Sequence, residues 1–270
     1  MPMRSQRKFG QHFLEQTWVN KLVKSIQPQP SDLIVEIGAG RGALTLALAP
    51  TVSRLIAIEI DRELTARLAE KLPAAVTLIS DDFLLIDLPA TIKPYRQQSR
   101  IRVVGNLPYN ISSQILFRLL KLQAADDLFN DATLMLQREV ADRVVATVGD
   151  RNYGPVAIMT SVHADARRIM TLPPGAFRPT PRVYSAVVQL RFRKSRISPS
   201  QYLVFERLVR TVFQRRRKTL LNALKPYAET VGVDPIKAIE SSKIDPSRRP
   251  ETLELSEYKE LTKVVTSSAS

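Results

Sequence analysis

A short apolar run, Leu33 to Ile37, passes straight into Gly38-Ala39-Gly40-Arg41-Gly42 and then into a stretch carrying Leu44, Leu46, Leu48 and Ala49. Strand, glycine turn and helix in that order form the first unit of a nucleotide-binding α/β sheet. Glycines at the turn let the backbone approach a ligand and aim its amides toward it. The spacing is G-x-G-x-G, without the later glycine of the pyrophosphate-binding fingerprint, which favours a ligand that has no diphosphate.

Three further strand ends point the same way. The run Leu55 to Ile60 carries Glu59 about 20 residues beyond Gly38, where an acid can accept hydrogen bonds from both ribose hydroxyls. Glu59 and Asp61 also read as strand-end and helix-cap acids, and that alternative keeps the same sheet. The run Ala75 to Ile79 closes on Ser80-Asp81-Asp82-Phe83, an acid for the exocyclic amine of an adenine and a ring for its face. A fourth strand, Ile101 to Gly105, delivers Asn106-Leu107-Pro108-Tyr109. Pro108 lacks an N–H and forces Leu107 into an extended conformation, so the loop is held ready for a flat ligand. The local alternative is an Asn-Pro turn with Tyr109 as a rim aromatic. The ligand crevice is thus expected along the carboxyl edge of the sheet.

The remainder divides at a change of composition. Pro173 to Val183 is a proline-stiffened loop whose Phe177 reads either as a plug beneath the loop or as an aromatic opposite Tyr109. From Arg193 only helical patterns follow, which places a boundary near Ser195: residues 1–194 as the sheet domain with a basic leader, residues 195–270 as a helical domain ending in a disordered Ser/Ala tail. That second part contains Arg215, Arg216, Arg217 and Lys218, read as phosphate contacts on a helix or, alternatively, as a solvated face. Because lysine and arginine number 40 against 26 acids, for a formal charge of +14, the expected partner is a polyanion, nucleic acid before membrane. The absence of cysteine excludes disulfides and thiolate chemistry, and two histidines, His12 and His163, disfavour a metal cluster. No apolar run approaches the roughly 20 residues of a membrane span. The start, Met1 to Gln11, is polar where a signal peptide has an apolar core, so a cytoplasmic location is expected.

Taken together, Gln11-His12-Phe13-Leu14, Val35-Glu36-Ile37-Gly38-Ala39-Gly40, Ile58-Glu59-Ile60-Asp61, Asn106 to Ser112, Phe177 to Val183 and Arg215 to Leu224 resemble the small-subunit ribosomal RNA adenine dimethyltransferase family over nearly the whole chain. Family members commonly show asparagine where His12 stands. The resemblance implies a Rossmann-like class I methyltransferase sheet, mostly parallel with one antiparallel strand, and a small all-helical C-terminal domain. It implies dimethylation of N6 on two adjacent adenosines in a hairpin loop near the 3′ end of 16S-type RNA, with S-adenosylmethionine as cofactor. Carried over by position, His12, Leu14, Gly38, Gly40, Glu59, Asp82, Phe83 and Asn106 would line the cofactor, and Asn106, Leu107, Pro108, Tyr109 and Phe177 the target base. Arg215, Arg216, Arg217 and Lys218 would contact RNA. The partner implied is small-subunit RNA within a pre-assembled subunit, met by a monomer without membrane or metal. Two alternatives stand: a large-subunit RNA adenine methyltransferase of the antibiotic-resistance type, or an RNA-binding assembly or transcription factor that keeps the fold.

Overall fold

The apolar runs read from the sequence become strands of one sheet, in a computed structural model that describes residues 12–95 and 101–268. Residues 1–11, which hold most of the basic leader, and the terminal pair 269–270 lie outside the described residues. In chain order the elements are β1 (Phe13–Leu14), α1 (Gln16–Ile26), β2 (Leu33–Ile37), α2 (Ala43–Leu48), β3 (Arg54–Glu59), α3 (Arg62–Ala69), β4 (Val76–Ser80), α4 (Leu88–Ile92) and β5 (Ile101–Asn106). They continue with α5 (Ser112–Asp126), β6 (Phe129–Gln137), α6 (Arg138–Val144), α7 (Pro155–His163), β7 (Ala164–Leu172), β8 (Phe177–Arg178) and β9 (Ser185–Phe192). The helices α8 (Pro199–Gln214), α9 (Leu220–Val231), α10 (Pro235–Ser241) and α11 (Leu255–Ser268) complete the chain.

Seven strands form one sheet in the order β4-β3-β2-β5-β6-β9-β7, and β1 pairs with β8 in a separate two-stranded ribbon. The five strands from β4 to β6 run parallel, while β9 is antiparallel to β6. Every residue of β2 is buried, as a parallel strand covered on both faces requires. After β2 the chain winds outward to β3 and β4, then returns to build β5 on the other side of β2. That reversal opens a crevice beyond the carboxyl ends of β2 and β5, the place where open α/β sheets bind ligands.

One polar staple joins three of these elements. The Arg102 guanidinium on β5 pairs with Asp32 at 2.7 Å and with Asp131 on β6 at 2.9 Å. It also donates to the carbonyls of Ile26 and Gln27, at 2.7 and 3.1 Å, and so closes the C-terminus of α1.

By contacts the chain forms two compact units, the first built from residues up to Ala141 with Ala166–Phe192 and the second from Asp142–Asp165 with the residues from Arg193 onward. The second unit therefore takes in α7 as well as α8 to α11. Its core includes Phe205, Leu208, Val212, Leu224 and Tyr258, and the Tyr258 hydroxyl donates to the Pro250 carbonyl at 2.6 Å. Two details depart from the sequence reading. Helix α11 continues through Ser267 and Ser268, where a disordered tail was expected, and there the Thr266 and Ser268 hydroxyls donate to carbonyls four residues back, at 2.8 and 2.9 Å. Residues 215–218 form a turn after α8 rather than part of a helix. No helix among the described residues is long and apolar enough to cross a membrane.

Candidate active site

The carboxyl ends of β2, β3, β4 and β5 enclose a cleft of about 260 Å³, and the short β1 strand closes one side of it. All of the cofactor and base residues named from the sequence line this cleft except Phe177.

The glycine turn is shaped by an acid from the next strand. Gly38 and Gly40 have φ of +76° and +59°, conformations that glycine adopts without a side-chain clash. Gly40 N–H donates to Glu59 Oε2 at 2.7 Å, and Asp61 N–H donates to Glu59 Oε1 at 2.9 Å. Glu59 is thus held in place from both sides, and each oxygen keeps a lone pair that a ribose hydroxyl can use. The Asp61 carboxylate caps α3, accepting from the N–H groups of Glu63 and Leu64 at 3.0 and 3.3 Å. Asp61 is thus the helix-cap acid of the sequence reading, while Glu59 sits at the strand end and lines the cleft.

At the next strand end Asp82 Oδ1 accepts the Leu84 N–H at 2.8 Å, which leaves its second oxygen available to an amine. Phe83 is buried beside it, with the Arg118 guanidinium 5.9 Å from its ring centroid. Glu36 also lines the cleft, although the sequence reading gave it no role. It is 2 % exposed, and its Oε2 has no hydrogen-bond partner among the described residues. Burial pushes this carboxyl up to about 7, and the Glu59 carboxylate adds to the effect. The signal was present in the sequence: an acid inside an otherwise apolar strand needs a reason to be there.

The Asn106 loop is braced from two directions. Asn106 Nδ2 donates to the His12 carbonyl at 2.8 Å, so the acceptor Oδ1 is the end of the amide left for a ligand. Leu107 N–H donates to the Met135 carbonyl at 3.1 Å. The Tyr109 hydroxyl shares a 2.6 Å hydrogen bond with Ser185 Oγ, and burial raises its pKa. His12 stacks on the Tyr109 ring with centroids 5.3 Å apart and planes at 28°, while its Nδ1–H donates to the Pro179 carbonyl at 2.7 Å. Neither Ser185 nor Pro179 could be paired with these residues by spacing, since each lies far along the chain.

Phe177 stands elsewhere. It is fully buried, faces Leu14 across the β1–β8 pair, and packs in the core cluster with Val19, Leu22 and Ala39. Its packing is that of the plug beneath the loop, and its ring is not part of the cleft wall. Residues 215–218 belong to the second unit. There Arg216 pairs with Glu251 and donates to the Arg151 carbonyl at 2.9 Å, whereas Arg215, Arg217 and Lys218 are exposed.

A mostly parallel sheet with one antiparallel strand, its cleft combining a glycine turn, a strand-end acid and an Asn-Leu-Pro-Tyr loop, has the make-up of a class I methyltransferase. Within that class the assignment narrows. Residues 3–265 match the family model for ribosomal RNA adenine dimethylase, and the chain belongs to that family. It is 40% identical over 264 residues to the ribosomal RNA small subunit methyltransferase A of Nitrosococcus oceani, with 96% of each chain covered. It is 39% identical over 270 residues to the protein of the same name from Syntrophotalea carbinolica, with 98% of each covered. Among solved structures, a dimethyladenosine transferase from Plasmodium falciparum superposes with a TM-score of 0.74 at 24% identity, covering 93% of this chain and 96% of that one. The 23S rRNA methyltransferase ErmE gives 0.67 at 21% identity, covering 94% and 99%. These two likenesses speak for the fold.

Proposed function

We propose that this chain dimethylates N6 of two adjacent adenosines in a hairpin loop of small-subunit ribosomal RNA, near the 3′ end and within a pre-assembled subunit, using S-adenosylmethionine in the cytoplasm. The observation that carries this reading is the Asn106 amide, whose donor end is engaged by His12 so that Oδ1 is offered to an incoming amine.

An adenine N6 lone pair is delocalised into the ring and attacks poorly until that conjugation weakens. Two neutral acceptors, Asn106 Oδ1 and the Leu107 carbonyl ahead of Pro108, would take the two N6 hydrogens and localise the lone pair on nitrogen. The target base has to leave its stack to reach them, and the Tyr109 ring, tethered through Ser185, supplies the replacement stacking surface. In each transfer the N6–C bond forms as the sulfonium S–C bond breaks, and the cationic amine then loses one proton to solvent, since neither acceptor titrates; in the second transfer N6 carries a single hydrogen to donate.

The cleft residues fit the cofactor. Glu59 suits the ribose and Asp82 with Phe83 the adenine, while His12, Leu14 and the backbone of the Gly38–Gly40 turn, its N–H groups taken by Ile58 and Glu59, line the remaining wall. Glu36 Oε2, which has no hydrogen-bond partner among the described residues, also lines the cleft, and the bound cofactor supplies an electrophilic methyl on a sulfonium. The test is mass spectrometry of ribosomal RNA after purified protein and isotope-labelled cofactor are incubated with small subunits that lack the modification. Label on two neighbouring small-subunit adenosines is expected. Label confined to large-subunit RNA, or none, overturns the reading.

A further inference from the structure

A second depression, of about 310 Å³, lies in the first unit where β6 ends and β9 begins. Gln137, Arg138 and Glu139 form one side of it, and Arg182, Val183 and Tyr184 the other. Arg138 N–H donates to the Tyr184 carbonyl at 2.9 Å, and Gln137 pairs with Ser185 in the strand register, so the two sides are fixed to one another by backbone. Val183 is 43% exposed and Tyr184 is 48% exposed. The Arg138 guanidinium lies over the Tyr184 ring, 5.6 Å from its centroid, and Arg182 is exposed beside it. Two cations against the single acid Glu139 leave this lining net positive.

An exposed aromatic bracketed by arginines is what binds single-stranded nucleic acid: the ring stacks a base of any identity and the guanidinium groups take the phosphates. The place of the depression indicates which nucleotide. Tyr184 immediately precedes Ser185, whose hydroxyl holds Tyr109 at 2.6 Å. Their side chains point to opposite faces, Ser185 inward to Tyr109 and Tyr184 outward to solvent. Asn106 pairs with Met135 and Gln137 with Ser185 in the strand register, so the depression opens at the same carboxyl edge as the cleft, and an RNA strand that delivers one base to Tyr109 and continues along this edge meets Tyr184.

We infer that Tyr184, with Arg138 and Arg182, forms a stacking and phosphate subsite for the nucleotide adjacent to the adenosine being methylated. The inference rests on the RNA-methylating role proposed above. It gives the exposed Tyr184 ring a function that folding does not ask of it, and it places a second base of the loop against the protein while the first reacts.

The test is steady-state methylation with unmodified small subunits as the varied substrate, beside calorimetry of S-adenosylmethionine binding. Tyr184→Ala is expected to raise KM for the subunit about tenfold while cofactor affinity stays at the wild-type value, and Tyr184→Phe to restore KM because the stacking face is kept. Arg138→Ala with Arg182→Ala should lower the salt slope of subunit binding by about 1.4 to 1.8. Wild-type KM in Tyr184→Ala, or a Phe variant as defective as the Ala variant, overturns the subsite. If Tyr184→Ala loses cofactor binding as well, its effect is structural, and the salt slope of the arginine pair decides: an unchanged slope overturns the subsite. A wild-type protein that fails to methylate the subunit sinks the proposed function instead, a result separable from any of these.

Discussion

Asn106 Nδ2 donates to the backbone carbonyl of His12 at 2.8 Å, joining the end of β5 to the residue that leads into β1. That one bond fixes which end of the amide faces the cleft, and it also ties the stacked pair His12 and Tyr109 to the reacting loop. Asn106 is preorganised by a contact to backbone, which does not depend on the protonation of its partner.

Glu59 holds two backbone N–H groups in addition to facing the cleft. Glu59→Ala should weaken S-adenosylmethionine binding by about 2 kcal/mol and also lower the unfolding midpoint, since Gly40 and Asp61 lose their acceptor. Glu59→Gln keeps one acceptor oxygen and should fall between. Calorimetry and thermal melts on the same preparations measure both effects. Wild-type cofactor affinity in the Ala variant would remove Glu59 from the cofactor site.

Glu36 predicts an unusual stability profile. The unfolded carboxyl ionises near 4.5, whereas the folded one retains its proton to about 7. Between those values the folded state binds more protons, so stability from this group falls as pH rises from about 4.5 to about 7 and then levels off. Glu36→Gln should therefore leave stability unchanged at pH 4 and raise it by on the order of 3 kcal/mol at pH 8. Urea denaturation at the two pH values tests this, and an equal effect at both would contradict it.

The Arg102 staple should be the most sensitive structural point away from the cleft. Arg102→Ala strands two partly buried carboxylates, Asp32 and Asp131, and frees two carbonyls at the end of α1. A loss of about 3 to 5 kcal/mol in urea unfolding is expected. A loss below about 1 kcal/mol would show that the cluster relaxes into water.

In the 215–218 turn the cations differ in partner and exposure. Arg216 is committed to Glu251, whereas Arg215, Arg217 and Lys218 are exposed and suited to phosphate. Arg215→Glu with Arg217→Glu should reduce the salt slope of subunit binding by about 1.4 to 1.8, with cofactor affinity unaltered. Arg216→Glu should instead destabilise the helical unit. Parallel log–log salt plots for wild type and the double variant would make these residues solubility charges.

The sheet and its cleft were legible in the sequence because their signals are local: each of these cleft-lining groups sits at the end of an apolar run, as Glu59, Asp82 and Asn106 show. What escaped depends on partners distant along the chain. Phe177 reads either as a plug or as an aromatic opposite Tyr109 until β8 pairs with β1 and buries it against Leu14. Arg102 reads as a charge in a strand until Asp32 and Asp131 converge on it. The apolar stretch from Val156 to Val162 has no period that separates helix from strand, and it forms α7 behind Gly154 and Pro155. The four cations carry no stop signal, since arginine and lysine favour helix, yet α8 ends at Gln214.

The central claim is that the Asn106 amide positions the adenine amine, and one measurement bears on it most directly. Single-turnover methylation of unmodified small subunits by wild type and Asn106→Ala should be followed by mass spectrometry of the RNA, with subunit binding measured in parallel. Two neighbouring dimethylated adenosines are predicted for wild type. For Asn106→Ala, a rate lower by about a hundredfold with subunit affinity essentially retained is predicted, because the lost acceptor acts mainly in the transition state. Dimethylation by Asn106→Ala at the wild-type rate would contradict the account.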